Sequence, residues 1–224
     1  MIDLHLFSYP GENGIQHIVD VSRPYLVNKP SSVVAYLPVG SLSDTFQEYT
    51  ENAFRGLAQV ATINTELMTL PEMEAILRNS ALVYIPGGNT YLLNHRLHLC
   101  KIMDTLRKKV AAGLPVVAFS AGTVLCGPNI LTTNDINIVP STHFKGLGAT
   151  KFNFNVHYPE DAPARAVKDD WLSDYHTFQD NPVILMAVGA FIRVKGNKTT
   201  LVYGEAWILR KGQEKEALKA GESI

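Results

Sequence analysis

The chain has 224 residues, 46% of them hydrophobic and 18% charged, with a formal net charge of −1. This is an ordinary globular composition. The absence of a basic block argues against nucleic acid as a partner, and no run reaches the roughly 18 apolar residues that a membrane helix needs. The N-terminus, Met1 to Leu6, lacks a basic segment and reads as a strand, not a signal peptide. The two cysteines, Cys100 and Cys126, lack metal-ligand spacing and read as reduced thiols of a cytoplasmic protein.

Ile2 to Ser8 reads as the first strand, closed by Tyr9-Pro10-Gly11. Ile15, Ile18, Val19 and Leu26 then recur at helical spacing up to Pro30. Ser32 to Val39 is a second apolar strand, and Ser43-Asp44 caps a helix expected to run to about Gln59. Ala61 to Thr69 reads as a third strand, and Pro71 starts a short helix to Asn79. Ala81 to Ile85 is a fourth strand that stops at Pro86-Gly87-Gly88-Asn89-Thr90. Helix follows from Tyr91, with a second amphipathic helix over Leu99 to Ala112 closed by Gly113.

Val116 to Phe119 is a buried strand that breaks into a helix at Ser120. Leu131 to Asp135 is a polar loop, Asn153 to His157 a short strand, Glu160 to Ala164 a loop and Ala166 to Phe178 a helix. Val183–Val188, Phe191–Val194, Thr199–Tyr203 and Ala206–Leu209 read as antiparallel strands, with Gly196-Asn197 as the clearest turn. The strand–helix alternation of the first half predicts an α/β fold. It is a three-layer α/β/α sandwich around a mostly parallel sheet, with antiparallel strands near the C-terminus. With no linker or repeat, residues 1–224 read as a single domain. Ligands of such sheets bind beyond the C-terminal strand ends, where Gly87-Gly88-Asn89 and Ser120 both fall.

Phe119-Ser120-Ala121-Gly122 has the small residues that a tight strand-to-helix turn requires, the geometry that lifts a nucleophilic serine above a sheet. Its alternative reading is a serine that only caps a helix. A serine nucleophile needs a base, usually histidine. Of seven histidines, His157 ends a strand at the same edge. His5 and His17 read as structural, and His95 and His98 are a weak metal pair. His143 and His176 have no evident partner. The amides of Ala121 and of the Gly87-Gly88 turn suit an oxyanion. Asp135 is the first choice for an acid orienting the histidine and Glu205 the second. No phosphate-binding glycine motif follows Gly88, so no nucleotide cofactor is expected.

These segments carry a resemblance to the peptidase E (aspartyl dipeptidase) family of serine peptidases, family S51, with its class I glutamine amidotransferase-like, flavodoxin-like fold. Phe46-Gln47-Glu48-Tyr49-Thr50 is similar to the family's Trp-Asp-Glu-Tyr-Thr, and Pro86-Gly87-Gly88-Asn89-Thr90-Tyr91-Leu92-Leu93 to its Gly-Gly-Gly-Asn-Thr segment. Phe119-Ser120-Ala121-Gly122, Pro128 to Ile136 and Asn155-Val156-His157-Tyr158 match in the same order, as does the tail from Phe191 to Glu214. The resemblance implies Ser120 as nucleophile, His157 as base, Asp135 as third member, and Gly88 and Ala121 as oxyanion donors. It also implies substrate contacts at Asn89, Thr133 and Lys168, and hydrolysis of short peptides, α-aspartyl dipeptides by family habit, without metal or cofactor.

The chain departs from the family at several places. Ala118 and Pro86 replace glycines, and Val188 stands where the family has a glutamate proposed for the triad. Lys168-Asp169-Asp170-Trp171-Leu172 replaces an arginine-bearing helix start, unless Arg165 is the equivalent. A monomer or homodimer is expected. The alternative readings are a catalytically impaired small-ligand binder and a cyanophycinase-like amide hydrolase.

Overall fold

Four-residue apolar runs, too short for helices and flanked by turn residues, make the sheet. The computed structural model describes residues 1–11, 14–27, 32–43 and 46–224. β1 (Asp3–Phe7), β2 (Val33–Tyr36), β3 (Gln59–Thr62), β4 (Leu82–Ile85) and β5 (Val116–Phe119) pair in parallel. The hairpin of β8 (Phe191–Lys195) and β9 (Lys198–Tyr203) adds antiparallel to β1, giving the order β3-β2-β4-β5-β1-β8-β9. The C-terminal ends of β4, β5 and β1 therefore lie side by side.

Side chains alternate across this sheet, so successive residues enter different cores. Phe7, Val34, Tyr36, Tyr84 and Val117 pack under α1 (Gly14–Leu26) and α2 (Gln47–Phe54), around Ile18 and Phe54. Leu4, Leu6, Ala35, Val83, Ile85 and Ala118 face the other way. They meet α3 (Leu70–Asn79), α4 (Thr90–Leu99), α5 (Ile102–Ala111) and α6 (Ala121–Leu125) through Met73, Leu97, Leu106 and Val124.

A second sheet is built from β6 (Asn153–Tyr158), β7 (Val183–Ala187), β10 (Ala206–Leu209) and β11 (Glu216–Ala217), in the order β11-β10-β7-β6. One face, with Phe154, Ile184 and Met186, completes the larger core. The other face packs on α7 (Ala162–Phe178). The expectation that the segment at Val183 is purely antiparallel is corrected here. β7 is antiparallel to β10 but parallel to β6, because a helix between two adjacent strands returns the chain in the same direction.

Several element ends differ from the sequence reading. α2 stops at Phe54, since Gly56 at φ +78° turns the chain and Gln59 already starts β3. Thr69 is not strand but the N-cap of α3, in a reciprocal box with Glu72. The helix expected over Leu99–Ala112 begins only at Ile102, after a break at Lys101 with φ +63°. α7 starts at Ala162, four residues early, because Asp161 caps it and Pro163 fits the first turn. The expected cap residue Asp44 and the expected helix limit Pro30 lie outside the described residues. Among the described residues no helix is long and apolar enough to cross a membrane.

Candidate active site

β5 ends in a turn whose geometry is set by small residues. Ser120 has φ +52° and ψ −117°, a conformation that an L-residue holds only under constraint. The constraint is visible on both sides. The Ser120 amide donates to the Phe7 carbonyl at 3.0 Å, and its carbonyl accepts from Val124 N at 3.1 Å, tying the residue to β1 and to α6. A Cβ at Gly122 would stand 2.2 Å from the Ile85 carbonyl oxygen, so only glycine lets α6 lie this close to β4.

His157 reaches the same edge from β6. A register shift in the β6–β7 pairing falls between Asn155 and Tyr158, and His157 sits within it at φ +55°. The bulge turns the ring toward β5, and His157 Nε2 lies 2.9 Å from Ser120 Oγ. With the proton on Nδ1, Nε2 accepts from the serine hydroxyl. Partial burial of the imidazole lowers its pKa, opposed by the negative charge of Asp135. The Tyr9 ring flanks it at 6.4 Å between centroids. The His157 backbone is held by a residue that the sequence reading passed over. Buried Ser8 accepts from His157 N at 2.8 Å and donates to Met186 O at 3.1 Å.

The Gly87-Gly88 turn after β4 borders Ser120. A Cβ on Gly87 would come within 3.3 Å of Ser120 Cβ, and Gly88, at φ +137°, packs against the Gly40 backbone. Among the described residues no acceptor meets the amides of Gly88 or Ala121; Ala121 follows the serine in the chain, and Gly88 lines the same cavity as Ser120.

The other predicted site residues form a polar brace beside this pair. Asp135 Oδ2 accepts from Thr90 N at 2.7 Å and Thr90 Oγ1 at 2.6 Å, with Thr133 Oγ1 3.1 Å away. Asn89 caps α4, accepting from Leu92 N at 3.0 Å, and its Nδ2 donates to Ile136 O at 2.9 Å. Lys168 Nζ donates to Asn134 Oδ1 at 2.7 Å and lies over the Trp171 ring. Asn134, not singled out in the sequence, also donates to Val156 O at 2.7 Å, bracing β6 one residue before His157. Among the described residues no hydrogen bond joins Asp135 to His157. Glu205 pairs with Arg165 at 3.8 Å, and Val188 is exposed in the turn between β7 and β8.

A cavity of about 790 Å³ opens at Ser120 and His157, walled by Ile15, Ile18, Tyr36, Tyr49, Tyr84 and Phe119 among others. Asn89, Thr133 and Lys168 stand outside its lining. Among the described residues no three His, Cys, Asp or Glu side chains converge as a metal site. His98 instead bonds Lys145 O at 3.0 Å and stacks on His143.

Comparison with known proteins agrees with this architecture. A family model described as Peptidase family S51 matches residues 7–202. A Peptidase E from a Nostoc species is 26% identical over 82% of this chain and 78% of its own length. A protein of Drosophila melanogaster described as a probable alpha-aspartyl dipeptidase is 34% identical over 61% of this chain and 59% of its own. The crystal structure of a peptidase from an acI-B1 Actinobacterium superposes with a TM-score of 0.74 at 18% identity, covering 100% of this chain and 97% of that one.

Proposed function

This chain belongs to peptidase family S51, and we propose that within it Ser120 and His157 carry serine-type hydrolysis of short peptides. It is a peptidase, with the class I glutamine amidotransferase-like fold of that family. The observation that carries the proposal is the 2.9 Å approach of Ser120 Oγ and His157 Nε2, made with the serine in a strained turn. Strain of this kind persists where the surroundings enforce it, and it concentrates at reacting residues.

In this reading His157 takes the Ser120 proton as the hydroxyl attacks the scissile carbonyl. The amides of Gly88 and Ala121 donate to the oxygen that becomes negative. His157 then returns the proton to the leaving amine, and the acyl-serine ester is cleared by a water that gives its proton to the same nitrogen. The lowered pKa of His157 keeps the imidazole neutral, as a base must be at pH 7. Asp135 acts on the developing imidazolium through its charge, while its hydrogen bonds serve Thr90 and Thr133.

Residues 1–224 act as one domain in this proposal. The free thiols of Cys100 and Cys126 support a cytoplasmic setting. The family habit and the name of the Drosophila relative make α-aspartyl dipeptides the reference substrates. The test is hydrolysis of a dipeptide panel by the wild type, Ser120→Ala and His157→Gln. The proposal expects both variants to lose at least about a thousandfold in kcat. Full activity in Ser120→Ala overturns it.

A further inference from the structure

The cavity at Ser120 differs in character from the polar brace beside it. Its described lining holds no lysine, arginine, aspartate or glutamate, and His157 supplies its only ionisable nitrogen. Tyr36 and Tyr84 are stacked on its wall, their rings 5.4 Å apart and 21° from parallel, and Phe119 leans on Tyr84. Burial raises the pKa of both tyrosine hydroxyls, so these two side chains stay neutral at physiological pH. Ile18 closes it with fully buried aliphatic surface, whereas Tyr49 lies half out at the mouth.

A carboxylate taken into such a space loses its hydration and, among the described lining residues, finds hydroxyls but no lysine or arginine. The cations on the α7 side are committed elsewhere. Arg165 donates to Pro159 O at 2.7 Å and lies over the Trp207 ring, and Lys168 is held by Asn134 and Trp171. An aromatic or large aliphatic group gains by burial against the accessible rings of Tyr9, Phe46 and Tyr49 in the same lining, in proportion to the area it covers.

We propose that this cavity receives a large apolar side chain beside the scissile bond, so that aromatic dipeptides and not aspartyl dipeptides are the preferred substrates. The inference rests on Ser120 being the nucleophile, because only that role makes the neighbouring cavity a specificity pocket.

The test compares kcat/KM for Phe-Ala, Ala-Phe, Asp-Ala and Ala-Ala. A phenylalanine dipeptide should exceed both Asp-Ala and Ala-Ala by about tenfold or more, the scale on which apolar pockets discriminate. Asp-Ala as the best substrate, or four equal values, overturns the inference. Tyr49→Arg, a change at an exposed position, should move the ratio of Asp-Ala to the better phenylalanine substrate upward by about tenfold. An unchanged ratio counts against the cavity.

Calorimetric titration of Ser120→Ala with the same peptides separates the two readings. If the wild type cleaves nothing while this variant binds a phenylalanine dipeptide more tightly than Asp-Ala, the hydrolase reading falls and the apolar pocket stands. Tighter binding of Asp-Ala, or binding of neither peptide, overturns the pocket.

Discussion

The Ser8 hydroxyl, fully buried at the end of β1, accepts the His157 amide at 2.8 Å. It donates in turn to Met186 O on β7 at 3.1 Å, and so ties the end of β1 to both β6 and β7. His157 sits in a bulge at φ +55°, so its ring direction depends on this anchor. Ser8→Ala leaves the His157 amide and the carbonyl of buried Met186 short of a partner and frees the bulge to relax. A displacement near 1 Å at a reacting group can cost about a hundredfold. Steady-state kinetics should show kcat lower by about ten- to a hundredfold with KM nearly unchanged. A lower melting temperature with unaltered kcat would make Ser8 merely structural.

The contrast between Ser8 and Ser120 shows what a sequence reveals here. The turn at Ser120 is legible because small residues surround it between an apolar run and a helix. Ser8 has the local signal of any serine after a strand, and its role exists only because β6 arrives from residue 157. The parallel core was legible from four-residue apolar runs alternating with helices. The second sheet was not, since β6 and β7 are brought together by α7 and by contacts with α6 that no local pattern encodes. Asp135 was legible as a loop acid at the right edge. Its hydrogen bonds to Thr90 and Thr133 are tertiary facts, as is the placement of Lys168 against Asn134. Thr69 and Asp161 were misread for a simpler reason: both caps had their local signals, a glutamate three residues on and a following proline, and these were passed over.

Gly88 is predicted to tolerate no side chain. Its φ of +137° is closed to L-residues, and an added Cβ would stand 2.5 Å from the Gly40 carbonyl oxygen. The clash is with backbone, which cannot swing aside as a side chain would, so Gly88→Ala should displace the turn. Loss of one oxyanion donor in a serine hydrolase is worth about 10²–10³ in kcat. Kinetics together with a thermal melt should show that loss and a lower melting temperature. Wild-type kcat in Gly88→Ala would remove this amide from the mechanism.

Asp135 separates a charge effect from an orienting hydrogen bond. In the proposed mechanism His157 works as a base when neutral, so activity should fall as pH drops through its pKa, which burial holds below 6.5. The Asp135 charge favours the imidazolium and raises that pKa. Asp135→Asn removes the charge, so the pKa falls further and the acid limb of kcat/KM moves to lower pH. Because no hydrogen bond links the two side chains, kcat should drop by roughly tenfold, well short of the ~10⁴ that follows loss of an orienting acid. A pH–rate profile checks both points. A 10⁴-fold loss, or a limb moving upward, would assign Asp135 the direct role.

His5, in the middle of β1, makes stability depend on pH. Tyr25 gives its hydroxyl proton to Asp3 Oδ2 at 2.6 Å, so His5 Nε2, 2.8 Å from the Tyr25 oxygen, is the donor in that contact. Among the described residues its buried Nδ1 has no partner. Burial first, and then the charge of Arg193, lower the His5 pKa from 6.5 to about 4. The folded protein thus resists a proton that the unfolded chain accepts below pH 6.5, so the associated stability is intact above 6.5 and is lost as pH falls toward 4. At about 1.4 kcal/mol per pKa unit, the loss approaches 3 kcal/mol across that window. His5→Gln keeps a donor toward Tyr25 and removes the titration. Denaturant melts at pH 7 and pH 4.5 should therefore differ less for the variant than for the wild type. An equal pH dependence in the two proteins would locate the acid sensitivity elsewhere.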